Sequence, residues 1–388
     1  MKKTIFGLFL TVNLYAQSYE VLLEEALHRN INLKLIHNQQ EKISLSGAIE
    51  RRYENPNLEF EVADFSSQFM TKSNSFGVRV GVVQSIPLPH IQKERATITE
   101  KRINLSSLEY KVERSNFIYN FNIRYLAYRK ADASLALQSR AVELSKEILD
   151  TVNQRYQEGA VARSDYLEAK LDYQRAKTQE KRLAFDVVKM KNELLAFANL
   201  EKEYSVESGH IFLLEEADGV FPSIALGEAR NEVSQAKLKL LEHSIESIEL
   251  FSELEREPDQ DVFRVGVSIP LPTFNLKHEE KQLEKINMTN EKLRIDNQEN
   301  LLALQLEQLM AENRQLEILR EHQQSLIASQ EELFEMYKAS YTIAKVNLLK
   351  LQQIKKQRIL NQQKILENSF AIEQNIIKIN YLQGGYSE

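Results

Sequence analysis

The sequence predicts a mainly α-helical chain that also carries four short amphipathic strands. Three observations lead to this fold class. The chain of 388 residues has only 11 Gly and 7 Pro, so long stretches lack the residues that interrupt helices. Two regions alternate apolar and charged residues with the period of a β-strand. One five-residue motif occurs twice, which indicates that the same series of elements is repeated in the two halves.

Residues 1–16 have the pattern of a secretory signal peptide. Lys2 and Lys3 form a positive start, and a short apolar stretch leads to Ala16 at the expected cleavage point. This stretch is shorter than the ~20 residues that a membrane-spanning helix needs. The chain has no Cys, so neither a disulfide nor a cysteine-linked lipid anchor is expected. We therefore expect the protein to leave the cytoplasm.

An internal repeat divides the rest of the chain. Residues 85–89 read Ser-Ile-Pro-Leu-Pro, and the same five letters return at 268–272, which is 183 positions later. Residues 156–159 (Tyr-Gln-Glu-Gly) are matched with residues 337–340 (Tyr-Lys-Ala-Ser), which lie 181 positions later. Two matches in the same order at nearly the same spacing indicate duplication. They predict a first repeat at 17–200, a linker containing Gly and Pro at 201–222, and a second repeat at 223–388.

Each repeat is predicted to contain a leading helix, a strand pair, a long helix and a returning helix. A helix of about 65 residues would be roughly 100 Å long. Such a length suits a coiled coil or a tube better than a globular domain. The predicted bounds are 18–54, 57–86, 92–157 and 164–200 in the first repeat, and 223–247, 248–270, 276–338 and 345–382 in the second.

The strand pairs allow two interpretations. In the first pair, Leu58, Phe60 and Val62 alternate with Glu59 and Glu61. The other strands follow the same pattern, although Phe251 and Ser252 break it. One interpretation is a sheet whose apolar face packs on helices while its charges lie in bulk water. The other is a transmembrane β-barrel whose apolar face meets lipid and whose charged face lines a water-filled lumen. The signal peptide and the duplication favour the barrel, with the lumen residues Glu59, Glu61, Arg79 and Arg264.

Four strands are too few to close a barrel around a water-filled channel, whereas three chains would supply twelve. The sequence therefore predicts a homotrimer. The seven His are scattered, and no nucleophilic Cys, Gly-rich phosphate loop or metal-ligand spacing is present. No catalytic residue, cofactor or metal site is predicted, so the chain is not expected to be an enzyme. The net charge of −6 provides no basic field for nucleic acid.

The repeated order of elements resembles that of the TolC-like outer-membrane efflux proteins over residues 18–382. Within that family, residues 55–65, 84–88 and 265–275 are most similar to the CzcC-like branch, which serves heavy-metal pumps. The resemblance implies a trimer with a twelve-stranded barrel in the outer membrane and a periplasmic tunnel of long coiled-coil helices. It also implies two partners, a periplasmic adaptor (membrane fusion) protein and an inner-membrane pump of the RND type.

The turns between the long helices are the second group of candidate sites. Residues 156–159 resemble the tip of the family's helical hairpin, and Asp165 follows them. In the second turn, Ser340 stands where Gly is common and Asn347 where an acidic residue is common. Asp172 is a further acidic candidate, although Ser164 and Asp165 would also suit a helix start. The resemblance assigns adaptor contact at the periplasmic tip to Gly159, Arg163, Asp165, Ser340 and Asn347.

The sequence is thus interpreted as a passive exit duct for heavy-metal cations, part of a tripartite efflux system. A duct for drugs or for type I secretion is the first alternative, because the cargo is chosen largely by the pump. A periplasmic coiled-coil adaptor is the second alternative. An adaptor has one helical hairpin, whereas two are predicted here.

Overall fold

The computed structural model describes residues 18–64, 76–202, 204–215, 221–257, 260–274, 276–343 and 345–386. The signal peptide predicted at 1–16 lies outside these residues. In the described parts, no helix has both the length and the apolar content to cross a bilayer. The elements in chain order are α1 (Tyr19–Arg29), α2 (Ile31–Glu50), β1 (Asn57–Asp64), β2 (Phe76–Pro87), α3 (Pro89–Gln157), α4 (Arg163–Phe197), α5 (Pro222–Glu242), β3 (Ser247–Arg256), β4 (Asp261–Ser268), α6 (His278–Thr342) and α7 (Leu348–Leu382).

The predicted fold class is confirmed: the chain is mainly helical and has four strands, with long helices at 89–157 and 278–342. The single leading helix predicted at 18–54 is wrong, because two helices meet at Asn30. The Asn30 amide donates to the carbonyl of Leu27 and closes α1. Its side-chain oxygen accepts from the amide of Leu33 at 3.1 Å and begins α2. Asn is well suited to such a helix start, since its side chain replaces a missing backbone acceptor.

The four strands form one antiparallel sheet in the order β1-β2-β3-β4. The pairing of β2 with β3 joins the two sequence halves, with Val80 opposite Leu254. The repeated motif falls at the same kind of place twice. Pro87 ends β2 and Pro89 opens α3, where a missing amide is tolerated. Pro270 and Pro272 follow the end of β4 but precede α6 by several residues.

Two compact units make up the chain, and each takes residues from both sequence halves. The first unit comprises Met1–Leu33, Glu113–Phe221 and Leu301–Glu388, and the second comprises Lys34–Val112 and Pro222–Asn300. The sequence repeats at 17–200 and 223–388 are therefore not themselves compact units. Each half nevertheless contains helix, strand pair, long helix and returning helix in that order. The duplication stays a prediction.

Three separate apolar clusters stabilise the described part of the first unit, and two of them are large. One joins α1, α3, α4 and α7 through fully buried side chains such as Leu22, Phe121, Leu194 and Ile377. The other joins α3, α4, α6 and α7 near the interhelical turns and includes Val152, Ala169, Phe334, Tyr341 and Leu351. Burial of such side chains is the main favourable contribution to helix packing.

The segment that links the two halves is held onto helices of the first unit. In the linker predicted at 201–222, the described residues 201–202, 204–215 and 221 contain no helix, whereas Pro222 already begins α5. The Tyr125 hydroxyl donates to the carbonyl of Glu207 at 2.7 Å. The Phe212 amide donates to Glu373 at 3.2 Å, and Glu373 also pairs with the largely buried Arg129 at 2.6 Å. Helix side chains thus supply the partners that this backbone lacks.

One aromatic side chain departs from the alternation that predicted the strands. Phe251 lies on the same face as the charged residues, because it is paired with Val83 on one side and Gly266 on the other. A Cβ atom at Gly266 would lie only 2.3 Å from the Phe251 ring. The ring therefore packs directly over the Gly266 backbone. Gly in a strand often marks such a close approach.

Replacing Gly266 with Ala should destabilise the sheet. The Phe251 ring would have to move, and overpacking of this kind costs about 1–3 kcal/mol. The matched control is Gly81→Ala on the same face, where the new Cβ would meet its nearest neighbour at an ordinary 3.6 Å. Denaturant unfolding should show a loss for Gly266→Ala alone, and Phe251→Ala in the same chain should remove most of it. Equal effects at both glycines would contradict the packing.

Candidate functional site

The candidate lumen residues lie together on one face of the sheet. Arg79 approaches Glu59 at 3.8 Å and Glu61 at 3.4 Å. Both acids are on β1, and Glu61 is directly opposite Arg79 in the ladder. Arg264 lies on the same face two strands away, on β4. The four residues predicted from alternation therefore share one surface.

Two carboxylates that the sequence did not single out contact the arginines of this charged face. Glu253 on β3 lies 3.6 Å from Arg79 and 2.7 Å from Arg264, so it bridges the two arginines. Glu255 pairs with Arg264 at 2.5 Å. The signal for both was their period-two spacing in β3, which the order of the strands turns into contact. Glu249 is on the same face, opposite Ser85 and Ser268. Five carboxylates and two guanidinium groups therefore leave three net negative charges.

The opposite face of the sheet is apolar and exposed. Phe60, Val80, Leu254 and Phe263 form one row across the four strands. Phe60 is 68% exposed and Phe263 67%, so the described parts of the chain leave much of this face uncovered. A contiguous exposed apolar surface marks an interaction site in a folded protein. A sheet whose apolar face packs on helices does not describe this arrangement.

The first interhelical turn is built around Gly159. This residue has a left-handed φ of +77°. The Gly159 amide donates to the carbonyl of Tyr156 at 3.0 Å, and the Ala160 amide donates to that of Arg155 at 2.8 Å. These two bonds are the Schellman pattern that ends a helix with Gly in the left-handed conformation. A Cβ at Gly159 would meet no atom within 4 Å, so the turn faces open space.

Arg163 and Asp165 occupy the first turn of α4, which begins at Arg163. The residue that precedes the helix is Ala162, and no side chain caps it. Ser164 and Asp165 therefore lie at a helix start, as the alternative interpretation expected, but neither is the N-cap residue. Arg163 is exposed and Asp165 is half-buried. An acidic residue at this position is favourable, because the amide groups of the first turn carry partial positive charge.

The second turn lies further along the chain than predicted. α6 continues to Thr342, so Ser340 is in its last turn, and the Lys345 amide donates to the Ser340 carbonyl at 3.0 Å. Ser340 therefore corresponds to Arg155 and not to Gly159, with a spacing of 185 positions instead of 181. The predicted pairing was one helical turn out of register, because the Tyr at 337 was matched to Tyr156. The residue equivalent to Gly159 lies outside the described residues.

Asn347 has a structural role at the second turn. It precedes α7, and its side chain accepts a hydrogen bond from the Lys350 amide at 3.0 Å. This is the ordinary helix-capping interaction of an Asn. In the corrected register Asn347 corresponds to Ala162, whereas Asp165 corresponds to Lys350. The two turns therefore carry different charges at equivalent positions.

Arg155 connects the two turns within the first unit. Its guanidinium donates to the carbonyl of Tyr341 at 2.5 Å and lies over the Tyr341 ring at 4.6 Å from the ring centre. Burial raises the pKa of the Tyr341 hydroxyl, while Arg155 acts in the opposite direction. Sequence analysis missed Arg155, because nothing in a single helix shows which carbonyl of another helix its side chain reaches.

The histidines are only partly scattered in the structure. His90 and His243 have ring centres 4.4 Å apart, and His210 stacks on Tyr19 at 3.9 Å. Burial lowers the pKa of His210, and neighbouring Glu20 opposes that change. Among the described residues, no three or more His, Asp or Glu side chains are grouped so that they could hold a metal ion.

Replacing Gly159 should reveal how much the first turn depends on its left-handed backbone. Gly159→Ala is expected to lower stability by about 1–2 kcal/mol, because a Cβ disfavours this conformation. Gly159→Asn should cost less, because Asn tolerates positive φ. Thermal unfolding of the three proteins measures the difference. The turn geometry is contradicted if Ala and Asn both match the native protein.

Comparison with known proteins adds a partial match to a protein family and a fold. Residues 22–199 match the family described as outer membrane efflux protein. No curated protein sequence matches the chain. Among solved structures, the chain is similar to CusC, studied for transmembrane channel formation, at 15% identity and a TM-score of 0.76, with 94% of this chain and 91% of that chain covered.

Two further channel structures show the same likeness. The CmeC outer membrane channel of Campylobacter jejuni has 15% identity and a TM-score of 0.75, covering 94% of this chain and 85% of its own. The outer membrane protein VceC of Vibrio cholerae has 13% identity and a TM-score of 0.77, covering 95% and 96%. The sequence match over residues 22–199 spans slightly less than half of the chain, and the solved structures show that almost the whole chain has a TolC-like fold.

Proposed function

We propose that three copies of the chain form a passive exit duct in the outer membrane, with the long helices as its tunnel in the periplasm. The two-faced sheet carries this proposal. One face is apolar and exposed, with Phe60, Val80 and Val265 on it, and the other carries seven charged side chains. A sheet in a bilayer needs its apolar face towards lipid and its charged face towards water.

The edges of the sheet explain why several copies are needed. β1 pairs only with β2, and β4 pairs only with β3, so the described chain has two open backbone edges. Unpaired backbone groups cost several kcal/mol each in hydrocarbon. An even number of antiparallel strands lets β4 of one chain pair antiparallel with β1 of the next. Three chains then close a twelve-stranded barrel.

The charged face supports cations as the cargo. It has three more carboxylates than guanidinium groups, and threefold symmetry would repeat that excess around the lumen. Rings of carboxylates favour the passage of cations. The proposed cargo is therefore a heavy-metal cation, as the likeness of residues 265–275 to the CzcC-like branch also suggests. Drug efflux and type I secretion are the alternatives that an export measurement separates.

The turns support the proposed partners. The Gly159 turn points into open space, and Arg163 beside it is exposed, so a second protein could reach the backbone there. We assign this end of the helices to a periplasmic adaptor, which would connect the duct to an inner-membrane pump of the RND type. Because Arg155 binds Tyr341, contact of the adaptor with the first turn would also affect the end of α6 that contains Tyr341.

The orientation of the sheet can be tested with one charge on either face. Val80→Arg should weaken the protein by about 2–4 kcal/mol, because an Arg near the bilayer midplane is costly. The control is Glu61→Arg, which places the same side chain on the charged face. Unfolding in lipid vesicles and yield in the outer membrane should fall only for Val80→Arg. Greater loss for Glu61→Arg would reverse the two faces.

The function is tested by loss of the gene in its own host. Cells without the duct should accumulate zinc, cobalt or cadmium, while drug accumulation stays unchanged. Complementation with Gly159→Glu should restore trimers but neither export nor adaptor crosslinking, with native protein as the control. Accumulation of drugs without accumulation of metals would show that the cargo is a drug and not a metal cation. Normal export of every solute tested would remove the duct proposal.

A further inference from the structure

A cavity with polar and apolar lining residues lies among α3, α4 and α7 of the first unit. Its volume is 530 Å³, within the range of about 300–1,000 Å³ typical of small-molecule sites. The cavity is near the clustered apolar residues of the turns but is not part of that cluster. The side chains that bear on its chemistry are Ser145, Asp172, Arg175, Gln352, Lys355 and Lys356.

A buried lysine forms the floor of this cavity. Lys355 is only 4% exposed. Its ammonium donates to Asp172 and, at 2.9 Å, to the hydroxyl of Ser145. Removing an ammonium from water is costly unless it is paired, and Asp172 supplies that pairing. Asp172 is therefore committed to Lys355, which gives this candidate tip acid a structural role.

Two further cations at the cavity have no such partner. Arg175 is on α4 and Lys356 is on α7, and neither makes an ion pair or hydrogen bond with another described residue. With Lys355 there are three cations and one carboxylate, so two net positive charges converge on the cavity. The chain as a whole is acidic, with a net charge of −6, so this local excess has the opposite sign.

A buried donor without a partner also lines the cavity. The side-chain amide nitrogen of Gln352 is inaccessible to solvent and has no hydrogen-bond partner. Leaving a buried donor unsatisfied costs about 1–3 kcal/mol, so a bound acceptor would be favoured there. Lys355 also has one donor left, since an ammonium carries three and two are used.

We propose that this cavity is a binding site for a small oxyanion, a carboxylate or a phosphate. Arg175 and Lys356 bind its charge, and Gln352 donates to one of its oxygens. Guanidinium and ammonium groups are the usual partners of such oxygens. A bound anion would join α4 to α7, the returning helices of the two hairpins. The site is independent of the cargo and of the closed barrel.

Calorimetric titration of the purified full-length protein in detergent tests the site. Citrate and inorganic phosphate are the two probes, each added at constant ionic strength so that screening stays equal. At least one should bind with one site per chain, and the one that binds identifies the preferred group. Arg175→Gln and Lys356→Gln should each weaken binding by about tenfold, because each removes a charge-assisted bond.

Matched variants separate a built site from diffuse charge. Arg182→Gln on α4 and Lys364→Gln on α7 remove exposed charges of the same kind, and their affinities should equal that of the native protein. Asp172→Asn removes the only carboxylate of the site and should strengthen binding. If neither probe binds, the cavity holds only water and the proposal is overturned. Equal weakening by all four charge variants, or weaker binding by Asp172→Asn, would overturn it too.

Discussion

The unpaired backbone edges of β1 and β4 are the constraint on which the proposed assembly depends. A four-stranded sheet with one apolar face could be buried against helices, and its edges could then remain in water. Here the apolar face is exposed, with Val265 69% accessible, and the edges are open. Lipid would satisfy the face but not the edges. Further strands would pair with the open edges and leave the apolar face in contact with lipid. Another copy of the same chain supplies such strands.

The charged face that would line the lumen must also keep its structure. Glu253 contacts Arg79 and Arg264 and so links β2, β3 and β4 through side chains. The surplus carboxylates stay on the wet face, where the cost of desolvation is small. Away from the sheet, the clustered side chains near Val152 and Leu351 pack four helices together. Arg155 and Lys355 add polar links at the same place, so the two hairpins of a chain are held as one packed group near their turns.

Features of the fold that depend on local periodicity could be predicted from the sequence. The period-two alternation gave the strands and their faces, and the scarcity of Gly and Pro gave the long helices at 89–157 and 278–342. Sequence reasoning failed at Asn30, where a local bond from the Leu33 amide begins a new helix although Asn is tolerated in helices. It also failed where the answer depends on distant partners. Glu253, Arg155 and Lys355 gain their roles only from other elements.

The second turn shows a different kind of failure. Two similar Tyr-containing segments can be aligned in registers one helical turn apart with little change in composition. An alignment based on sequence alone therefore placed Ser340 in the wrong register. Backbone hydrogen bonds resolve this, because Ala160 and Lys345 donate to equivalent carbonyls. In the same way, periodicity showed Phe251 as an exception, while the ladder shows that it packs over Gly266.

Crosslinking between β1 and β4 tests the closed sheet most directly. The chain has no native Cys, so Glu61→Cys can be combined in turn with Val262→Cys, Arg264→Cys and Ser268→Cys. Within one chain the two edges are about 14 Å apart across three strand spacings, which is too far for a disulfide. The account predicts oxidised trimers in the outer membrane for at least one pair, and none for Phe60→Cys with the same partners, because Phe60 is on the other face. Only monomers from every pair, in protein that still reaches the outer membrane, would contradict it.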